Sequence, residues 1–288
     1  MQNIDSVSEV AVFAGARDAF LAAMREVPPE ALPYLRPGDD YSLGGLAVHA
    51  NYVLEHYLNV LKALEAGDFA ECRPEDPADL QASANERARS SLSPGEVEVE
   101  LTKIGRLHEQ VEALVRRLGT TSRKAPVWYP ASSEPFPTSV ADILGWLTGH
   151  YREHVPQIGA LVDAWRLDAQ TAETLAVVER FNEAFGRGDV DAVMKLMTDD
   201  CVFENTYPPP DGDRHVGQTA VRRFWESFFR STVRPRFETE EMVAVGDRVV
   251  ARWRFSWGEP GSEGHVRGID LFRTRDSKVA EKLSYVKG

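Results

Sequence analysis

Two hydrophobic rhythms divide this chain, and no single sheet or bundle accommodates both. Over roughly the first 165 residues, apolar side chains recur at intervals of three and four, the signature of one helix face. Val10, Phe13, Ala16, Phe20 and Met24 form one such stripe, and Leu46, Val53, Tyr57, Val60 and Leu64 form another. Near the C-terminus the interval falls to two. Ala251, Trp253, Phe255 and Trp257 alternate with Arg252, Arg254 and Ser256, which gives a strand with one apolar and one polar face. A length of 288 residues is about twice that of a usual domain. We therefore expect two domains, residues 1–167 and 168–288.

In the first, the helix over residues 7–24 is broken by "PPEALPYLRPGDD". A second helix spans residues 43–66, and a polar, proline-marked stretch with room for one short helix follows as a crossover. A third helix starts at Ser93-Pro94 and ends at Gly119, where serine caps, proline opens and glycine terminates. "TTSRKAPVWYPASSEPFP" reads as a loop or ribbon. Ser139 then caps a fourth helix that runs to about Trp165. Four long helices with one long crossover predict an all-α four-helix bundle.

The second domain opens with a helix, a Gly-Asp turn and a short helix. "CVFENT" is a strand and "GQTAVRRFWESFFRS" another helix. Four strands follow, joined by Gly246-Asp247, "GEPGSEG" and Asp276-Ser277. Helices followed by antiparallel strands predict an α+β domain, a curved sheet folded over helices.

Composition narrows the function classes. The formal net charge of −12 repels phosphate backbones, which argues against nucleic acid as a partner. Two cysteines, Cys72 and Cys201, lie far apart outside any CxxC pattern, which fits a reducing compartment. The first residues are polar and acidic where a signal peptide is basic, and no apolar run reaches the roughly 20 residues of a membrane span. The expectation is a cytoplasmic protein that acts on a small molecule.

Chemistry concentrates in "DILGWLTGHYREHVPQIGAL", residues 142–161. His150 and His154 are four apart, so they occupy one helix face on successive turns and can reach one cation. Two ligands hold a metal poorly, and HxxxH on a helix is most often a pair of surface or capping histidines. The second helix supplies two more candidates, His49 and His56. They sit seven residues apart, or roughly 10 Å along the axis, so only one of them can join the pair. Four of the seven histidines lie in these two stretches. Three neutral imidazoles with an open fourth position make a reactive site for zinc, and nickel or iron accepts the same set.

This arrangement resembles the DinB-like superfamily over about residues 5–165. "YSLGGLAVH" is similar to the family's second-helix pattern of an aromatic-serine pair followed by a ligand histidine, through Tyr41, Ser42 and His49. "HVPQI" is similar to the stretch that follows the family's HxxxH pair. The resemblance implies a four-helix bundle with His49, His150 and His154 as metal ligands, and it favours His49 over His56. It also implies, as one activity class, transfer or isomerisation dependent on a low-molecular-weight thiol. A metal with an open position promotes thiol deprotonation. Pro156 departs from the pattern: it removes a helical hydrogen bond two residues beyond His154.

The second half resembles the SnoaL-like branch of the NTF2-like superfamily. "VVERFNEAFGRGDVDAVMKLMTDDCVFE", "GQTAVRRFW" and "RGIDLFRTRDSKVAEKLSYVKG" carry the similarity. It implies a cone around an apolar cavity lined by side chains such as Trp253 and Phe255. It further implies that Asp270 occupies an acid/base position, with His215 and Glu204 as candidate partners. The competing reading pairs Asp270 with an arginine such as Arg252, or leaves it in water.

Three functions are compatible with this sequence. The first is a metal-dependent enzyme of DinB type with a fused ligand-binding cone. The second is a non-enzymatic ligand-binding or regulatory protein. The third is an isomerase or cyclase with catalysis in the cone. Cones of this kind pair through the outer sheet face, so a homodimer is expected.

Overall fold

The structure is a computed structural model describing residues 3–74, 80–120, 122–129 and 132–287. Residues 75–79 of the expected crossover therefore lie outside the described residues. The chain divides into two compact units, Met1–Trp165 and Arg166–Gly288.

The first unit is built from α1 (Asn3–Arg25), α2 (Gly45–Ala66), α3 (Leu80–Arg89), α4 (Pro94–Leu118) and the first part of α5 (Val140–Gly186). The stripes read from the sequence face inward. Phe13, Phe20, Leu46, Leu64, Ile104 and Ile143 are buried in one core, each contributing about 1.5–3 kcal/mol of transfer free energy as an upper bound. The α4 start is a complete capping box. The Ser93 hydroxyl accepts from the Glu96 amide, and the Glu96 carboxylate accepts from the Ser93 amide at 2.9 Å. The α3 helix occupies the crossover. The ribbon is a two-stranded one, β1 (Ala125–Val127) against β2 (Phe136–Thr138).

The fourth helix does not stop near Trp165. "RLDAQT" contains neither glycine nor proline and is rich in good helix formers, so nothing in it terminates α5. Pro156 is accommodated inside the helix. Lacking an N–H, it leaves the Arg152 carbonyl without its helical donor.

The second unit continues with α6 (Val190–Lys195), β3 (Met197–Glu204), β4 (Arg214–Val216), α7 (Gln218–Ser231), β5 (Arg236–Val245), β6 (Arg248–Trp257), β7 (Gly264–Arg275) and β8 (Lys278–Val286). The sheet order is β4-β3-β8-β7-β6-β5. All pairs are antiparallel except β3 with β8, which is parallel. The sheet is thus antiparallel as expected apart from this one pair, where the long excursion between β3 and β8 returns the chain beside β3 in the same direction. The β4 strand was not anticipated, its three residues being too few to show an alternation. Asp276 and Ser277 both adopt positive φ, 54° and 56°, as a two-residue hairpin of this hand requires. Phe181, Trp225, Phe272 and Val249 form the core between sheet and helices. Among the described residues, no helix is long and apolar enough to cross a membrane.

Candidate metal centre and the cone cavity

The three histidines are brought together by the local chemistry at the starts of two helices. Ser42, fully buried, accepts a hydrogen bond from the Gly45 amide at 3.0 Å. Its hydroxyl also lies 3.2 Å and 3.0 Å from the carbonyl oxygens of Ala88 and Ser90. This ties the entry of α2 to the end of α3. Glycine is required at position 45, because a Cβ there would sit 1.7 Å from the Ala88 carbonyl oxygen. One turn further on is His49. At the head of α5, the Ser139 amide donates to the Asp142 carboxylate at 2.9 Å, and the Asp142 amide donates back to the Ser139 hydroxyl at 3.1 Å. About three and four turns into that helix come His150 and His154.

The Nε2 atoms of His49 and His150 are 3.0 Å apart, and those of His150 and His154 are 3.1 Å apart. The ligand atoms of all three lie within 4.8 Å of one another. His154 Nδ1 is 2.6 Å from Gln157 Oε1. An amide oxygen only accepts, so Nδ1 carries the proton and the lone pair of His154 is on Nε2, facing the cluster. His49 stacks on the Tyr41 ring, with centroids 4.3 Å apart and planes 20° apart, and its Nδ1 is buried without a hydrogen-bond partner among the described residues. Burial lowers the His49 pKa to about 4, with further repulsion from His154. It lowers the His150 pKa to about 3, with repulsion from His154 and His49. Burial also raises the pKa of Tyr41. His49 and His150 are therefore neutral imidazoles.

The donor set fits a divalent cation. Metal–nitrogen bonds of about 2.0–2.1 Å at a tetrahedral angle place neighbouring nitrogens about 3.3 Å apart, close to the two separations here. His56 lies elsewhere, among the rings of Tyr52, Tyr57 and Tyr129 at centroid distances of 6.4, 5.0 and 5.8 Å. Sequence reasoning did not anticipate Gln157 as the partner that fixes the His154 tautomer. The signal was available, because positions 154 and 157 share a helix face.

In the second unit, a cavity of about 520 Å³ is walled by aromatic side chains including Phe185, Phe203, Phe224, Trp253 and Phe255. Trp253 lies across the strand over Gly268, where a Cβ would come 2.4 Å from the indole. Asp270 is fully buried on the inner face of β7 and does not line the cavity. Its partner is neither Arg252, His215 nor Glu204. Lys282 on β8 meets it, with Nζ 2.8 Å from Oδ2. Arg252 pairs with Glu240 and Glu241, and Glu204 with Arg214. His215 packs against Phe203 and Phe224. Lys282 escaped the sequence reading because each parity of "AEKLSYV" mixes polar and apolar side chains, and only the sheet register decides which parity faces in.

Comparison with known proteins gives two family matches. The DinB superfamily model matches residues 13–158 and the SnoaL-like domain model matches residues 178–282. Among solved structures, an NTF2-like protein of unknown function from Mesorhizobium loti is 39% identical, covering 41% of this chain and 94% of its own, with a TM-score of 0.37. An NTF2-like protein from Burkholderia xenovorans is 20% identical, covering 41% and 91%, with a TM-score of 0.35. An LEH-like epoxide hydrolase from M. tuberculosis is 20% identical, covering 41% and 84%, with a TM-score of 0.36. The chain thus belongs to the DinB superfamily, and its bundle is followed by a fused SnoaL-like domain.

Proposed function

We propose that the bundle is a metal-dependent enzyme unit holding one divalent cation through Nε2 of His49, His150 and His154, and that its reaction is the transfer or isomerisation of a low-molecular-weight thiol adduct. The observation that carries this reading is the convergence of three imidazole nitrogens from two helices at 3.0 and 3.1 Å. Zinc, nickel and iron all suit the set. When bound there, such an ion supplies Lewis acidity at an open position, where a thiol loses its proton near neutral pH. The chain's own residues do the rest. Gln157 keeps the His154 proton on Nδ1, and Tyr41 shields one face of His49. Burial keeps His49 and His150 unprotonated through the physiological range.

The reading that puts an acid/base group at Asp270 has less support, because that carboxylate is ion-paired and walled off behind Lys282. The thiol reading is tested by loading the protein with cobalt(II) and titrating it with small thiols. A thiolate-to-cobalt charge-transfer band in the near ultraviolet is expected. An unchanged spectrum would remove the thiol from the proposal.

A further inference from the structure

The SnoaL-like unit carries one buried charge pair for which the bundle chemistry has no use. Asp270, Lys282 and Ser284 share the inner face of β7 and β8: Ser284 is directly opposite Asp270 in the register, and Lys282 is two residues from Ser284. Lys282 and Ser284 line the cavity and Asp270 does not. Lys282 is 4% exposed, and Nζ lies 2.8 Å from both Asp270 Oδ2 and Ser284 Oγ. Ser284 Oγ accepts one ammonium proton, and the Asp270 contact is an ion pair in which neither carboxylate oxygen has a hydrogen-bond partner among the described residues, so at least one of the three ammonium protons is unengaged. Nζ also lies over ring faces, Phe203 at 5.2 Å and Phe185 and Phe272 at 5.7 Å. The indole N–H groups of the lining residues Trp225 and Trp253 are also buried without an acceptor among the described residues. The aromatic part of the wall therefore offers the Lys282 ammonium and two indole N–H groups as donors. Among the described residues the cavity's only charged lining residue, Lys282, is already neutralised from behind.

We propose that this cavity binds a neutral, flat, largely apolar molecule bearing a carbonyl-type oxygen, and that Lys282 is the donor that holds that oxygen. Charge balance selects the ligand class. A carboxylate would add an uncompensated negative charge to an aromatic chamber beside a pair that already sums to zero. A carbonyl oxygen accepts an unengaged ammonium proton at no such cost. The volume of about 520 Å³ lies within the range of small-molecule sites. Ser284 and Asp270 orient the lysine and do not themselves meet the ligand oxygen.

The test uses the full-length protein and three probes of one shape: 2-acetylnaphthalene, 2-ethylnaphthalene and 2-naphthoate. Binding is followed by quenching of tryptophan fluorescence. The ketone is expected to bind about tenfold or more tightly than the hydrocarbon, as a hydrogen bond to a charged donor allows. The carboxylate should bind more weakly than the ketone, and the carbonyl stretch of the bound ketone should move to lower frequency. In the charge-neutral double variant Lys282→Met/Asp270→Asn, hydrocarbon affinity should persist while the ketone advantage disappears. If that variant fails to fold, the wild-type affinity ratio and the carbonyl stretch still decide. Equal affinity for ketone and hydrocarbon, a preference for 2-naphthoate, an unshifted stretch or no binding of any probe would each overturn the proposal.

Discussion

His49 and His150 are 101 residues apart in sequence, and their Nε2 atoms are 3.0 Å apart in space. That closeness needs α2 and α5 to be placed to within a fraction of a helical turn, because a shift of one residue rotates a side chain by about 100°. Packing of ordinary apolar stripes fixes the faces, and the polar ties at the two helix starts fix the register.

Replacing Gln157 with leucine should leave the fold intact and weaken zinc binding about 10- to 100-fold, the usual effect of removing a partner that orients a ligand imidazole. Competition against a chromogenic chelator measures it. An unchanged affinity would mean that packing alone orients His154.

Gly45→Ala should be costly out of proportion to one methyl group. The added carbon meets the Ala88 carbonyl oxygen at 1.7 Å, so α2 or α3 must move, at a cost of about 1–3 kcal/mol. The variant should melt several degrees lower and hold metal less tightly, because His49 rides on the displaced turn. A wild-type melting curve would contradict this account of the α2 entry.

His108 is fully buried, stacked on Phe13 and 3.0 Å from Glu112. Burial, with repulsion from Arg17, lowers its pKa to about 4 against the pull of Glu112. The unfolded chain takes up this proton below about pH 6.5 and the folded chain only near 4. Stability is thus lost as pH falls through that window, with a limiting slope of about 1.4 kcal/mol per pH unit for one proton. Urea unfolding at several pH values should show a shallower acid dependence for His108→Gln than for wild type. Parallel profiles would show that His108 does not titrate in this range.

We expect a homodimer formed through the outer face of the sheet. The register places Val243, Val250, Leu271 and Leu283 in one cross-strand row, and Arg252, Ile269 and Tyr285 in the next. Val243 and Tyr285 are 59% and 47% exposed, apolar surface that a twofold contact would cover. Light scattering at micromolar concentration should give twice the chain mass, and Val250→Glu should halve it. A monomeric wild type would refute the expectation.

Both families were legible in the sequence because their signals are local: periods of 3.6 and 2, caps at Ser93 and Ser139, and a short histidine motif. The features that escaped depend on long-range register. The parallel β3–β8 pairing is set by where the chain returns, and the orientation of Lys282 by which parity of β8 faces inward. The run of α5 past Trp165 was missed for a different reason: a change of partner along one helix looks like a helix end when only the hydrophobic rhythm is read.

The central claim rests on which histidines hold the ion, and metal content per chain tests it most directly. Wild-type protein, His49→Ala and His56→Ala should be reconstituted with zinc, desalted and measured by elemental analysis. The account predicts one ion per chain in the wild type and in His56→Ala, and a sharp loss in His49→Ala. Loss in His56→Ala with retention in His49→Ala, or a wild type that stays metal-free with zinc, nickel and iron alike, would contradict it.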